Sequence, residues 1–321
     1  MDLDKYLDKV EHIFGETIND GQPKELYLPT AYAINTGGKK LRPTLVLLGN
    51  YVCGGNSDDA VYPAAAVEMF HNFTLLHDDI MDKAPIRRNK ETVWSKYGEN
   101  AAILCGDAMM VMGYSILLRS SKFAELASVF TNTALQVCEG QQWDMNFETR
   151  IDVEIDEYIK MIELKTSVLL AACLKLGAIS AGANQETQDK LYDAGINLGI
   201  GFQLHDDILD VFGDQQKIGK QIGGDIIANK KTFLLIKAFE LAQGDVLDEL
   251  MYHINAAHFE PEEKVKAVKD IYQKLSVKEL ADHKMNDYFT LGINQLKALN
   301  ISEDRKKVLL DFFSKMIQRE K

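Results

Sequence analysis

The segment Leu76-His77-Asp78-Asp79-Ile80-Met81-Asp82 returns as Leu204-His205-Asp206-Asp207-Ile208-Leu209-Asp210, identical at six of seven positions. In a helix the outer aspartates of each copy, Asp78 with Asp82 and Asp206 with Asp210, share one face with Cβ atoms about 5–6 Å apart. Like charges at that spacing oppose the helix by about 0.2–0.5 kcal/mol, and aspartate is a mediocre helix former. Position adds to the penalty. Pro85 disfavours helical geometry at Ala84, and Gly213 follows the second copy. Both motifs therefore occupy the last turns of their helices, where the dipole is already negative. Bound cations would offset all of these penalties. The preceding runs, Ala64-Ala65-Ala66-Val67 and Leu198-Gly199-Ile200-Gly201-Phe202, are small and apolar. They place the helices close together in a core, not on a solvated acidic surface. Clustered carboxylate oxygens suit Mg²⁺, which keeps several waters and completes its shell with substrate phosphates.

Beyond the motifs, apolar residues recur at three- and four-residue spacing, as in Ile159, Ile162, Val168, Leu169 and Ala172. The pattern predicts an all-α chain of about ten helices and no strand. Breaks are expected at Gly37-Gly38, Gly54 to Ser57, Pro85, Thr149 to Asp152, Gly182 to Glu186, Gly213 to Gly224, and Pro261. None resembles a linker, so residues 1–321 are expected to form a single domain. The last ninety or so residues look like peripheral amphipathic helices without distinctive chemistry.

With 321 residues, 36.1 kDa, 46% hydrophobic and 26% charged residues, the chain can bury a large core, which excludes disorder. A net charge of −12 argues against nucleic-acid binding, so an anionic ligand must be held by a local basic cluster. The longest uncharged run, Pro43 to Ser57, falls short of the roughly 18 apolar residues of a membrane span, and no transmembrane helix is expected. The acidic, amphipathic start Met1-Asp2-Leu3-Asp4-Lys5 is unlike a signal peptide and predicts a cytoplasmic protein. Cys53, Cys105, Cys138 and Cys173 form no C-x-x-C pair, and their apolar neighbours predict buried thiols.

The basic cluster has two candidate parts. Gly37-Gly38-Lys39-Lys40-Leu41-Arg42-Pro43 joins two helical stretches, its glycines allowing close backbone approach while Lys39 and Arg42 supply charge. Arg87-Arg88, just past the first acidic motif, adds two guanidiniums with bidentate phosphate geometry. Two basic loops with two acidic helix ends suggest two separately held polyanions, one bridged by metal and one held by Lys and Arg alone. Diphosphates fit that description. Lys165-Thr166 lies in an apolar helix, where snorkelling is the plain alternative. Lys220 and Lys230 follow the second motif and could close over phosphate.

Together these motifs resemble the trans-isoprenyl diphosphate synthases, the polyprenyl synthetase family, and they occur in the family's order. Gly-Gly-Lys-x-x-Arg-Pro comes first, then Asp-Asp-x-x-Asp with Arg-Arg, Lys-Thr, Gln-x-x-Asp-Asp-x-x-Asp and Gly-Lys-x-x-Gly-x-Asp, across Gly37 to Thr232. The resemblance implies an all-α isoprenoid synthase bundle around a central cavity, usually a homodimer. It implies Mg²⁺-dependent, head-to-tail condensation of isopentenyl diphosphate with dimethylallyl, geranyl or farnesyl diphosphate, using three ions. Carried over by position, Asp78, Asp82 and Asp206 are metal ligands, supported by Asp79, Asp207 and Asp210. Lys39, Arg42, His71 and Arg88 form the isopentenyl diphosphate site. Arg87, Lys165, Thr166, Gln203, Lys220 and Lys230 serve the allylic diphosphate and carbocation. Asn89 and Asn229 depart from the pattern, standing where glycine often precedes or follows the basic residues.

The helical wheel places Thr74 nearest the Asp78 face and Phe73 about 140° away, so geometry alone does not single out Phe73. The resemblance does, because an aromatic five residues before the first Asp looks like short-chain synthases that stop at fifteen or twenty carbons. Small Thr74 beside it favours the geranylgeranyl product. Three alternatives are weaker. A terpene cyclase would lack the Gly37 to Pro43 site and the second Asp-rich motif, and a non-catalytic partner subunit would normally have lost acidic residues. A di-iron bundle needs Glu-x-x-His twice, and Glu68-Met69-Phe70-His71 is one copy.

Overall fold

The computed structural model describes residues 2–18, 21–213, 223–256 and 258–319, and these are helical almost throughout. The order begins α1 (Leu3–Ile18), α2 (Lys24–Ile34), α3 (Leu41–Val52), a 3₁₀ turn (Ser57–Ala60), α4 (Val61–Met81) and α5 (Val93–Tyr97). It continues through α6 (Glu99–Leu117), α7 (Phe123–Thr149), α8 (Ile155–Ile162), α9 (Val168–Ser180) and α10 (Gln185–Phe212). Helices Gly224–Ile227, Phe233–Leu241, Asp245–Asn255, Pro261–Lys274, Val277–Lys297 and Glu303–Arg319 follow. Each expected break among the described residues falls between two helices, and most of Gly213 to Gly224 lies outside those residues. Among the described residues the helices outnumber the ten or so expected, in part because pieces such as Val93–Tyr97 and Gly224–Ile227 are too short to display a period. One strand pair was not expected: β1 (Ile86–Arg87) pairs antiparallel with β2 (Lys90–Glu91). Two residues per strand cannot show alternation.

The helices form two compact units that interleave along the chain: Met1–Asn132, Ala172–Tyr192 and Leu299–Phe313 in one, Thr133–Ala171, Asp193–Ala298 and Ser314–Lys321 in the other. In the first, α4 packs against α6, α3 and α1, with Ala64, Ala65, Ala66 and Val67 wholly buried. Glycines set the spacing. A Cβ on Gly49 would stand 2.5 Å from the Leu174 carbonyl oxygen, and one on Gly177 only 2.1 Å from that of Val46. The second unit uses the same device along α10, where Gly195 abuts Ala171, Gly199 abuts Ser167, and Gly201 abuts the Phe289 ring. The close packing expected from the small residues ahead of each acidic motif is therefore present.

Val277–Lys297 is amphipathic as expected, burying Val277, Ala281, Met285, Phe289, Gly292 and Leu296 on one stripe. The thiols follow expectation only in part. Cys105 and Cys173 are buried and Cys53 half-buried, but Cys138 is exposed. The buried stripe of α7 runs through Leu126, Phe130, Ala134 and Val137, and Cys138 lies one residue, about 100° of rotation, beyond it. Among the described helices α6 has the length and hydropathy of a span, with 39% of its most apolar window buried. It packs along α4 and leaves Leu104 and Val111 outward.

Candidate active site

Both acidic motifs form the last turns of their helices, with Asp82 capping α4 and α10 ending at Phe212. Asp78 and Asp210 are half-buried, and Asp82 and Asp206 are exposed. The middle aspartates turn inward to protein donors. Asp79 accepts from Arg87 Nε at 2.7 Å. Asp207 accepts from Gln203 Nε2 at 2.9 Å on one oxygen and from the Tyr158 hydroxyl on the other. Burial and then the nearby Asp225 carboxylate hold Asp207 well above the usual carboxylate range, while the Tyr158 and Gln203 hydrogen bonds pull the other way. Among the described residues no three His, Cys, Asp or Glu side chains converge into a closed metal cage. Open sets of hard oxygens fit Mg²⁺, which rarely takes an all-protein cage.

In the first unit the basic residues gather at His71. Arg42 Nη1 lies 2.9 Å from His71 Nε2, and since a guanidinium only donates, Nε2 accepts and a neutral ring carries its proton on Nδ1. His71 is held well below 6.5 by burial, then by Arg42, Arg88, Arg87 and Lys40 in that order. Its Nδ1 and Arg42 Nε are buried without a hydrogen-bond partner. Two orphaned donors in a cationic setting are what an anionic oxygen would satisfy. Gly38, at φ 149°, lets the Arg88 guanidinium approach: a Cβ there would stand 2.7 Å from Arg88 Nη1. Lys39 is exposed. Lys40, which sequence reasoning passed over, turns inward to Glu11 at 2.8 Å and buried Glu68 at 3.7 Å.

Arg88 and Asn89 join β1 to β2 with φ of 52° and 60°, the left-handed pair of a type I′ hairpin turn. Phe73, half-buried, stacks edge-on to His77 at 4.8 Å and lies 5.5 Å from Phe70. Thr74 donates back to the His71 carbonyl at 2.9 Å.

In the second unit Lys165 and Thr166 lie in a π-helical turn, Glu163–Ser167, between α8 and α9. The even apolar period gave no sign of it. The turn is bordered by glycines: a Cβ on Gly140 would stand 2.2 Å from Lys165 N, and one on Gly199 would stand 2.7 Å from Ser167 Cα. Such turns concentrate at functional sites. Lys165 donates to Asp144, so it is paired and does not simply snorkel. Thr166 Oγ1 donates to Gln203 Oε1 at 3.1 Å, which extends the chain Thr166–Gln203–Asp207–Tyr158. Tyr158 and Asp144 were missed, the first because it reads as a core aromatic and the second because a lone helical aspartate carries no signal. Lys230 is exposed after a short turn, its N–H donating to Asp225 O at 2.9 Å. Lys220 lies outside the described residues.

Residues 23–274 match the polyprenyl synthetase family. The chain belongs to that family. It is 37% identical over 325 residues to the geranylgeranyl diphosphate synthase of Methanosarcina mazei, covering 99% of this chain and 98% of that one. It is 35% identical over 311 residues to the short chain isoprenyl diphosphate synthase of Methanothermobacter thermautotrophicus, covering 96% and 95%. Its structure superposes on a crystal structure of a geranylgeranyl pyrophosphate synthase with a TM-score of 0.93 at 42% identity, covering 100% of this chain and 98% of that one. This polyprenyl synthetase is therefore an all-α trans-prenyltransferase of the short-chain type. The two positions where the resemblance leads us to expect glycine share one backbone feature. Asn89 and Asn229 have φ of 60° and 52°, the left-handed region where glycine is easiest and asparagine next most tolerated.

Proposed function

We propose that this polyprenyl synthetase condenses isopentenyl diphosphate head-to-tail with an allylic diphosphate and releases geranylgeranyl diphosphate, with farnesyl diphosphate as intermediate or co-product. The observation that carries this reading is the buried Arg42–His71 pair with its two orphaned donors and Arg88 nearby, an anion site that a cyclase has no use for. Lys39, Arg42, His71 and Arg88 bind isopentenyl diphosphate. Arg87, Lys165, Lys220 and Lys230 bind the allylic diphosphate. Asp78, Asp82 and Asp206 serve as ligands for three Mg²⁺ ions, with Asp79, Asp207 and Asp210 in support. Mg²⁺, when bound, supplies positive charge to the leaving diphosphate.

The rest follows from side chains. Lys165 and Arg87 meet charge that develops on the departing diphosphate. Thr166 Oγ1 and Gln203 Oε1 present oxygen to the allylic cation, and the Asp207 hydrogen bond prevents the amide from turning its NH₂ there instead. The isopentenyl double bond attacks, adding five carbons, and the proton leaves to the departing diphosphate. Phe73 meets the growing tail. We propose a homodimer through the outward face of α6 and its C-cap, where Leu104, Val111 and the capping Leu118, seven residues apart, are 61%, 68% and 60% exposed.

Purified protein incubated with isopentenyl diphosphate and primers of increasing length should give twenty-carbon diphosphate. Chelator or Asp78→Ala should lower kcat by about two orders of magnitude or more with helical circular dichroism unchanged. Full turnover in either case would sink the metal assignment.

A further inference from the structure

We propose that Lys264, a buried lysine far along the chain from every acidic motif, is a positioning residue that holds Lys230 in place for the allylic diphosphate by clamping the Asn229 side chain. The inference rests on the assignment of Lys230 to the allylic diphosphate. Asn229 immediately precedes Lys230 and adopts φ 52°. A glycine would hold that left-handed backbone alone, but asparagine brings an amide that must find partners. It finds them at both ends: Nδ2 donates to the Ile254 carbonyl at 2.9 Å, and Oδ1 accepts from Lys264 Nζ at 2.7 Å.

Lys264 is itself unusual. It is 1% exposed in a region expected to hold only plain amphipathic helix. Its Nζ also donates to the Ile227 carbonyl at 3.4 Å and lies 4.2 Å from the centroid of the Phe259 ring. Among the described residues it has no carboxylate partner, and burial pulls its pKa below the ordinary lysine value. A buried ammonium without a counter-charge is unfavourable unless its donors are used, and here two are spent on either side of Ala228. The turn they grip is closed by Lys230 N–H donating to Asp225 O at 2.9 Å. Lys264 thus fixes the backbone from which the Lys230 side chain emerges, and it stands in for the conformational freedom that glycine would supply.

The test is steady-state kinetics with each substrate varied in turn, on Lys264→Met, Asn229→Ala, Asn229→Gly, the Asn229→Gly/Lys264→Met double variant and Lys230→Ala, all checked by melting curves. Lys264→Met keeps the stem and removes the donors. It should raise KM for the allylic diphosphate about tenfold while KM for isopentenyl diphosphate stays within about twofold. Asn229→Ala, which removes the acceptor, should show the same split even if Lys264→Met folds poorly. The double variant should return to within about twofold of wild type, because glycine needs no clamp. A wild-type allylic KM in Lys264→Met, or a double variant as impaired as the single, overturns the inference. Lys230→Ala reports on the assignment beneath it: an unchanged allylic KM there removes the role of Lys230 and the clamp with it, whereas a raised KM beside a normal Lys264→Met rejects the clamp alone.

Discussion

Tyr158→Phe removes one oxygen atom and tests whether the second acidic motif depends on a residue outside it. Tyr158 is 1% exposed and Asp207 is 5% exposed. The hydroxyl donates to one carboxylate oxygen while Gln203 Nε2 donates to the other at 2.9 Å. Phenylalanine fills the same space, so no cavity term enters, and the loss is one buried hydrogen bond that leaves an Asp207 oxygen without its donor, about 1–3 kcal/mol. Unfolding entropy of about 2.1 cal/mol/K per residue over this length gives about 0.7 kcal/mol/K, so the melting midpoint should fall by about 1–4 °C. Catalysis should suffer separately. With Asp207 held on one side only, the Gln203 amide is free to rotate, and the oxygen accepting from Thr166 at 3.1 Å loses its fixed aim. Removing a direct electrostatic contact typically lowers kcat by 10²–10³, and an indirect one should cost about tenfold. Because the substitution removes no partner of Arg42 or His71, KM for isopentenyl diphosphate should not change. Melting curves and single-turnover product formation measure the two effects. A variant that melts lower but turns over at the wild-type rate would refute the positioning argument, and one unchanged in both would refute the hydrogen bond.

Three further outcomes are expected. The folded chain keeps His71 well below 6.5, so the unfolded chain takes up a proton that the folded one refuses. That contribution to stability is whole above about pH 6.5 and is lost as pH falls below it. His71→Gln should therefore flatten the fall in urea midpoint between about pH 7.5 and 5.5, and an unaltered slope would count against it. Phe73 is only half-buried, so Phe73→Ala should cost less than the roughly 3–5 kcal/mol of a fully buried phenylalanine. The variant should stay active and release longer chains, and a wild-type product profile by chromatography rejects the floor. Val111→Asp, on the exposed face of α6, should shift the protein from dimer to monomer in light scattering. A dimer that survives the charge would place the contact elsewhere.

What the sequence by itself determined here is local. The duplicated motif marks two helices, the periodicity makes the chain all-α, and Pro85 and Gly213 place the aspartates at helix ends, because backbone geometry next to proline or glycine is decided within a few residues. Residue order also sufficed to assign the family. Tertiary structure decided whatever depends on neighbours distant along the chain. The π turn at Glu163–Ser167 interrupts an even apolar period where Gly140 and Gly199 come close to it, and neither glycine adjoins it in sequence. Tyr158 reads as filler until Asp207 is found beside its hydroxyl, and Lys165 reads as a snorkelling cation until Asp144 meets it. Cys138 is exposed only because its helix is rotated past it. Lys264 looks like one more charge on a peripheral helix, and only the folded chain brings it to Asn229. Helix propensity acts over one turn, whereas burial, ion pairing and hydrogen-bond partners are set by which surfaces meet.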